Sequence, residues 1–217
     1  MSMSNQEAPL PEAETPAGEP RLTEAVRAAF APHAHPKATA LTRCIDHMGA
    51  FAKIDSSRML SKMLQAARGN AGVELVIDRR TLLLGILATG QDPRNDGRGL
   101  NSATWLRQWL QSAEGPISLP PGDLAGVERA FAGGAGIVFS ESVRGRIFAR
   151  AHSLAKATVQ RPQFDLRHLL FALAEEDDSL WGEVMPGGLG PTRASRLRSF
   201  LVERITRDPE PGEDVGV

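Results

Sequence analysis

The chain has 217 residues, is 41% hydrophobic and 24% charged, and carries a net charge of −1. That length and apolar fraction suffice for a packed core, and the near-zero charge excludes a solvated polyelectrolyte and a globally basic nucleic-acid binder. Aromatic residues make up 5% with no Tyr, which argues against an all-β sandwich and against stacking platforms for single-stranded nucleic acid.

Residues 1–20 read as a disordered tail. Pro9, Pro11, Pro16 and Pro20 alternate with Glu7, Glu12, Glu14 and Glu19, leaving little apolar surface to offset the entropy of ordering. Met1–Glu7 has neither the basic stretch nor the apolar run of a secretory signal. Helical spacing begins with Leu22, Ala25, Val26, Ala29 and Phe30, and Pro32 and Pro36 break it. A second stripe is Leu41, Cys44, Ile45, Met48 and Ala52. A third is Met59, Leu60, Met63, Leu64 and Ala67, entered through Asp55-Ser56-Ser57 and closed by Gly69 and Gly72. Val73–Ile77 is the one weak strand candidate, read as loop or helix start. Asp78 then caps an apolar helix from Leu82 to Ala88, closed by Gly90 and a polar loop. Helices are expected again after Asn101-Ser102, with Trp105, Leu106, Trp109 and Leu110, and over Asp123–Phe131.

The second half follows the same plan. Ser140 is a cap candidate for a helix carrying Val143, Ile147, Phe148, Ala151, Leu154 and Ala155, which Pro162 interrupts. Asp165 caps Leu169, Leu170, Leu173 and Ala174, and Thr192 opens a last helix through Leu197, Phe200, Leu201 and Ile205. The stretch Ile77-Asp78-Arg79-Arg80-Thr81-Leu82-Leu83-Leu84-Gly85-Ile86 falls on Phe164-Asp165-Leu166-Arg167-His168-Leu169-Leu170-Phe171-Ala172-Leu173, 87 positions later. An apolar residue, an Asp cap, a basic residue and an apolar helix with one small residue recur in register. Two such helix groups can bury their apolar faces against each other in a pseudo-two-fold domain.

Phe139-Ser140-Glu141-Ser142, the helix with Ala151 and Ala155, and Phe164-Asp165-Leu166-Arg167-His168-Leu169-Leu170-Phe171-Ala172-Leu173 resemble one repeat of the Clp N-terminal domain family. Met59 to Leu87 followed by Trp105 to Leu110 is similar to its partner repeat, with Thr81 where the second half has His168. The likeness runs from about 55 to 206. The Ala-x3-Ala register needs an extra residue or two, 111–138 is long, and the helices at 22–52 lie outside the family pattern. The expected fold is all-α: duplicated Clp-N-like repeats with pseudo-two-fold symmetry plus extra N-terminal helices. The expected division is a tail at 1–20, extra helices at 21–54, repeat 1 and linker at 55–138, repeat 2 at 139–207, and a tail or linker at 208–217.

The resemblance implies a module that captures a protein or peptide partner for a protein-remodelling or proteolytic machine, with a Clp-type unfoldase or protease system as one candidate. An apolar groove between the repeats would accept a helix or extended peptide, with rim charges selecting it. Repeat-start and helix-end positions give the candidate partner-binding residues Phe139, Glu141, Arg144, Glu175 and Glu176. An N-terminal assembly or sensing domain of a larger effector or protease polypeptide is the alternative. An enzyme is not expected, because no Gly-x-Ser-x-Gly or other nucleophile motif is present.

No Gly-Lys dipeptide exists, so no phosphate loop and no ATP are expected; Gly133-Gly134-Ala135-Gly136 and Gly187-Gly188-Leu189-Gly190 read as linkers. His168 is expected to pack or hydrogen-bond locally. His33, His35, Cys44 and His47 offer zinc-type donors in a spacing that fits no established finger; Cys44 reads as core and the histidines as surface, with no cofactor and no metal expected. Glu175-Glu176-Asp177-Asp178 reads first as a solvated helix end, and Arg193, Arg196, Arg198, Arg204 and Arg207 as a solvated face, with a charged partner as the second reading of each. The lone Cys44 excludes an intrachain disulfide and fits a reducing compartment. No apolar run is long enough to span a bilayer, so a soluble cytoplasmic protein without nucleic acid or membrane partners is expected.

Overall fold

The computed structural model describes residues 21–56, 73–90, 102–114, 119–176, 178–184 and 188–207. Helices dominate. Helix α1, Leu22–Phe30, buries Leu22, Val26 and Phe30, the i, i+4, i+8 stripe of its sequence. Helix α2, Thr39–Met48, buries Ala40, Leu41, Cys44, Ile45 and Met48 and tightens into a 3-10 turn over Gly49–Phe51. The expected helix carrying Met59 to Ala67 lies outside the described residues.

Helix α3, Arg79–Thr89, starts where Asp78 predicts: its carboxylate accepts from the Thr81 backbone N–H at 2.8 Å. Seven successive residues, Thr81 to Leu87, are buried. α3 is therefore walled on every side, and α2 is one of the walls. Gly85 permits that approach, because an added Cβ would overlap Met48 Cγ and stand 3.0 Å from Met48 Cα.

Helix α4 spans Ser102–Glu114 and α5 spans Leu124–Ala132, the latter capped by Asp123 through a 2.9 Å bond from Gly126 N–H. A helix opens behind Ser140, whose side chain accepts from Val143 N–H at 3.3 Å. It runs as a π-turn over Val143–Phe148 and continues as α6, Ala149–Val159, ending at Gln160 in the left-handed region (φ 55°). Helix α7, Leu166–Ala174, is buried along its whole length. Short α8, Asp178–Gly182, buries Trp181, whose indole N–H donates to the Leu173 carbonyl at 3.0 Å. Helix α9, Gly190–Arg207, packs Leu197, Leu201 and Ile205 inward and lies against α7.

The all-α expectation needs a correction. A three-stranded sheet in the order β1-β2-β3 joins β1, Lys53–Asp55, β2, Glu74–Ile77, and β3, Gly136–Phe139. β1 pairs antiparallel with β2, matching Ile54 to Leu75, and β2 pairs parallel with β3, matching Ile77 to Phe139. Leu75 and Ile77 point into the core and are fully buried. The segment read as loop or helix start is thus the central strand, and Gly136, read as linker, opens the third strand.

One core cluster contains residues of α1, α2, α3, α4, α6, α7 and α9 together with β2. The helices at 22–48 are part of it: Phe30, Leu41, Cys44 and Met48 are all at 0% exposure. Leu83 of α3 and Leu170 of α7 are both fully buried.

Candidate functional site

Phe139, Glu141 and Arg144 lie together because β3 ends at Phe139 and the next helix starts two residues on. Phe139 is half-buried, not free. Its ring meets Phe30 and Phe148 edge-on, with centroids 4.8 Å away in each case. Glu141 and Arg144 form an i, i+3 pair at 3.1 Å with side chains 84% and 61% exposed. Such a pair contributes little to stability and leaves both charges in water, available to a partner.

Glu175 and Glu176 follow the last residue of α7. Glu175 is exposed and receives two hydrogen bonds from Arg150, 2.5 Å from Nε and 2.8 Å from Nη2. The reading of Glu176 as part of a solvated helix end is overturned. Its side chain is 5% exposed and is shared by Arg79, at the start of α3, and Arg146, at 3.2 Å in the π-turn. A carboxylate taken out of water needs such partners, and two guanidinium groups supply them. Arg150 also stands over the Phe171 ring at 5.4 Å. The described part of the acidic run is therefore joined to the helix that Glu141 begins, through Arg146 and Arg150. Those arginines were not singled out from the sequence. Their i, i+4 spacing on a helix, opposite an acidic pair, was the available signal.

His168 fulfils its local expectation. Its side chain is 2% exposed, and Nδ1 lies 2.8 Å from Asp165 Oδ1. Arg167 Nη2 donates to Asp165 Oδ2 at 2.6 Å, and the same carboxylate caps α7 through Arg167 N–H at 2.9 Å. Burial opposes ionisation of Asp165. The hydrogen bond and charge of His168, then those of Arg167, outweigh it and hold the carboxyl well below the usual carboxylate range. No buried side-chain N or O atom among the described residues lacks a hydrogen-bond partner.

The four zinc-type donors do not converge. Cys44 is a fully buried thiol inside the α2 stripe, and His33 turns to His152. Among the described residues, no group of three or more His, Cys, Asp or Glu could hold a metal ion. No helix among them is long and apolar enough to cross a membrane. A mainly apolar cleft of about 460 Å³ opens between the start of α1 and the end of α5, lined by Arg21, Leu22, Glu128, Phe131 and Ala135 among others. None of the five candidate residues lines it.

Comparisons with known protein families, with curated proteins and with solved structures return no match.

Proposed function

We propose that the chain is a non-catalytic helical recognition module of the Clp N-terminal type, with the two halves built as related repeats, which captures a protein or peptide partner for a protein-remodelling or proteolytic system. The observation that carries this reading is the pair of Asp-capped helices at corresponding positions. Asp78 caps α3 and Asp165 caps α7 with nearly the same backbone geometry, φ −102° and −107°, ψ −178° and −175°. Thr81, at the His168 position, lies against its own cap aspartate: its hydroxyl is 3.0 Å from Asp78 Oδ1, as the His168 ring is 2.8 Å from Asp165 Oδ1. Two helices with the same start, α7 buried along its length and α3 over Thr81–Leu87, give a rigid body on which exposed charge is displayed.

Glu141, Arg144 and the Arg150–Glu175 pair are the surface groups that would choose a partner, because they carry charge into solvent at modest cost to folding. Phe139 supplies a half-buried aromatic edge beside them.

The test is capture of a partner by the full chain, followed by titration of that partner against wild type and a Glu141→Lys/Arg144→Glu double variant at low and high salt. Folding stability should change by less than about 0.5 kcal/mol. Affinity should fall at low salt and converge with wild type at high salt, where exposed charges are screened. Equal affinity at both salts removes these residues from the surface. A saturable heat with magnesium ATP in calorimetry would overturn the motor-free reading.

A further inference from the structure

Behind Phe30 the chain carries His33 into a nest of rings. The His33 centroid lies 4.7 Å from Phe148, 6.1 Å from Phe139, 6.5 Å from Phe164 and 5.5 Å from His152. His33 Nδ1 is 3.2 Å from His152 Nε2, and His152 Nδ1 is 2.6 Å from the Pro162 carbonyl oxygen. A carbonyl only accepts, so His152 keeps a proton on Nδ1. When both rings are neutral, His152 Nε2 is then the acceptor and His33 Nδ1–H donates to it.

One further proton fits this arrangement. His152 becomes imidazolium, donating to Pro162 and to His33 Nδ1, while His33 carries its proton on Nε2. A second proton does not fit. Both facing nitrogens would then bear hydrogens at 3.2 Å, on two cations walled by phenylalanine.

The pair sits beside a backbone seam. His35 N–H donates to the Phe164 carbonyl at 2.9 Å, and Phe164 N–H donates to the His33 carbonyl at 3.1 Å, an isolated parallel bridge at Ala34–Phe164. The segments that enclose the pair carry both signs: His35 and Lys37 in the turn after α1, Glu141 paired with Arg144 and Arg146 paired with Glu176 at the start of the helix after β3, Lys156 and Arg150, the latter paired with Glu175, on α6, and Arg161 in the α6–α7 loop. β3 carries no charge, and Asp165, next to Phe164, is committed to Arg167 and His168. Among the described residues, neither ring of the pair has a carboxylate as a hydrogen-bond partner.

We propose that His33 and His152 form a proton-operated clasp, which fastens the turn after α1 to the α6–α7 loop while the pair holds at most one extra proton and releases that seam when both rings are charged. Release exposes ring surface of Phe139, Phe148 and Phe164 that the closed clasp covers.

The direction of the pH effect follows from the same surroundings. Burial, and then the nearness of His152, hold His33 below its ordinary 6.5. The unfolded ring takes its proton first as pH falls, so the clasp contributes fully above about pH 6.5 and weakens below it.

The full chain is followed by NMR from about pH 8 to about pH 4.5, reading the histidine ring signals and the exchange of the His35 and Phe164 amides against Leu83 in the core. The ring signals of the pair should respond to pH as one coupled unit. Exchange at His35 and Phe164 should accelerate relative to Leu83 as the pair takes its second proton. Two independent single-step titrations, or exchange that parallels Leu83 throughout, overturns the clasp. His152→Gln keeps a donor and an acceptor without a titrating ring and should abolish the excess exchange. Excess exchange persisting in His152→Gln also overturns it, and the wild-type readings decide alone if that variant does not fold.

Discussion

Two acidic residues illustrate how differently a charge is read at short and at long range. Asp165 was legible from the sequence because its partners are local: Arg167 and His168 are two and three residues away. With its carboxyl held low, the folded state keeps it ionised to more acidic pH than the unfolded state does. Its contribution is therefore complete above the ordinary carboxyl value of 3.8 and is lost as pH falls below that. Asp165→Asn should destabilise by about 3–5 kcal/mol in urea unfolding, because it strands two buried basic groups, and should flatten the acid limb of the stability profile below about pH 4. Glu176 was not legible, because Arg79 is 97 residues away in the chain. Its solvated-end reading implied that neutralisation would be harmless. The structure reverses that expectation: Glu176→Gln should cost about 1–3 kcal/mol, the penalty for weakening a buried charged acceptor. Glu175→Gln, at an exposed pair, should stay within about 0.5 kcal/mol. Parallel thermal and urea unfolding of the two single variants separates them.

At the scale of elements, capped helices announced themselves and strands did not. Asp78, Asp123 and Asp165 each begin a helix where the sequence places one, since an Asp side chain meets the free N–H groups of the first turn without help from distant residues. β2 has four residues, and its alternation of Leu75 and Ile77 is too short to separate from a helix start. Its strand character comes from β1 and from β3, whose Gly136 and Phe139 lie 62 residues beyond their β2 partners. A central strand donates to both neighbours, so Val76→Pro should cost at least about 3 kcal/mol and lower the cooperativity of unfolding measured by circular dichroism. The π-turn at Val143–Phe148 accommodates one more residue per turn than an α-helix would. The wider turn lets Val143, Ile147 and Phe148 all reach the core.

For the whole molecule, the boundary drawn between N-terminal helices and the rest does not mark a division of the core. Val26, Phe30, Leu41 and Met48 belong to the same cluster as Leu83 and Leu170. Truncating either of those leucines should therefore reach the whole domain. Leu83→Ala and Leu170→Ala should each cost about 2–5 kcal/mol, seen as a lower urea midpoint with unchanged slope. A loss confined to one variant would show that the two halves do not share one cooperative core. The Arg79–Glu176–Arg146 cluster serves the same union from the surface inward, tying the start of α3 to the end of α7 and to the π-turn.

The sequence by itself determined what is periodic or local: the helical stripes of α1 and α2, the aspartate caps, the core position of Cys44 and the ring of His168 against its own helix start. These follow from side-chain spacing and from hydrogen bonds spanning a few residues, which the chain specifies before it folds. Only the tertiary structure decided the sheet, the burial of Glu176, the turning of His33 to His152 across 119 positions and the packing of Phe139 between Phe30 and Phe148. In each of these a side chain or strand takes its role from a partner far away in the chain, and the free energy that fixes it, desolvation together with the pairing that offsets it, exists only once the core has closed.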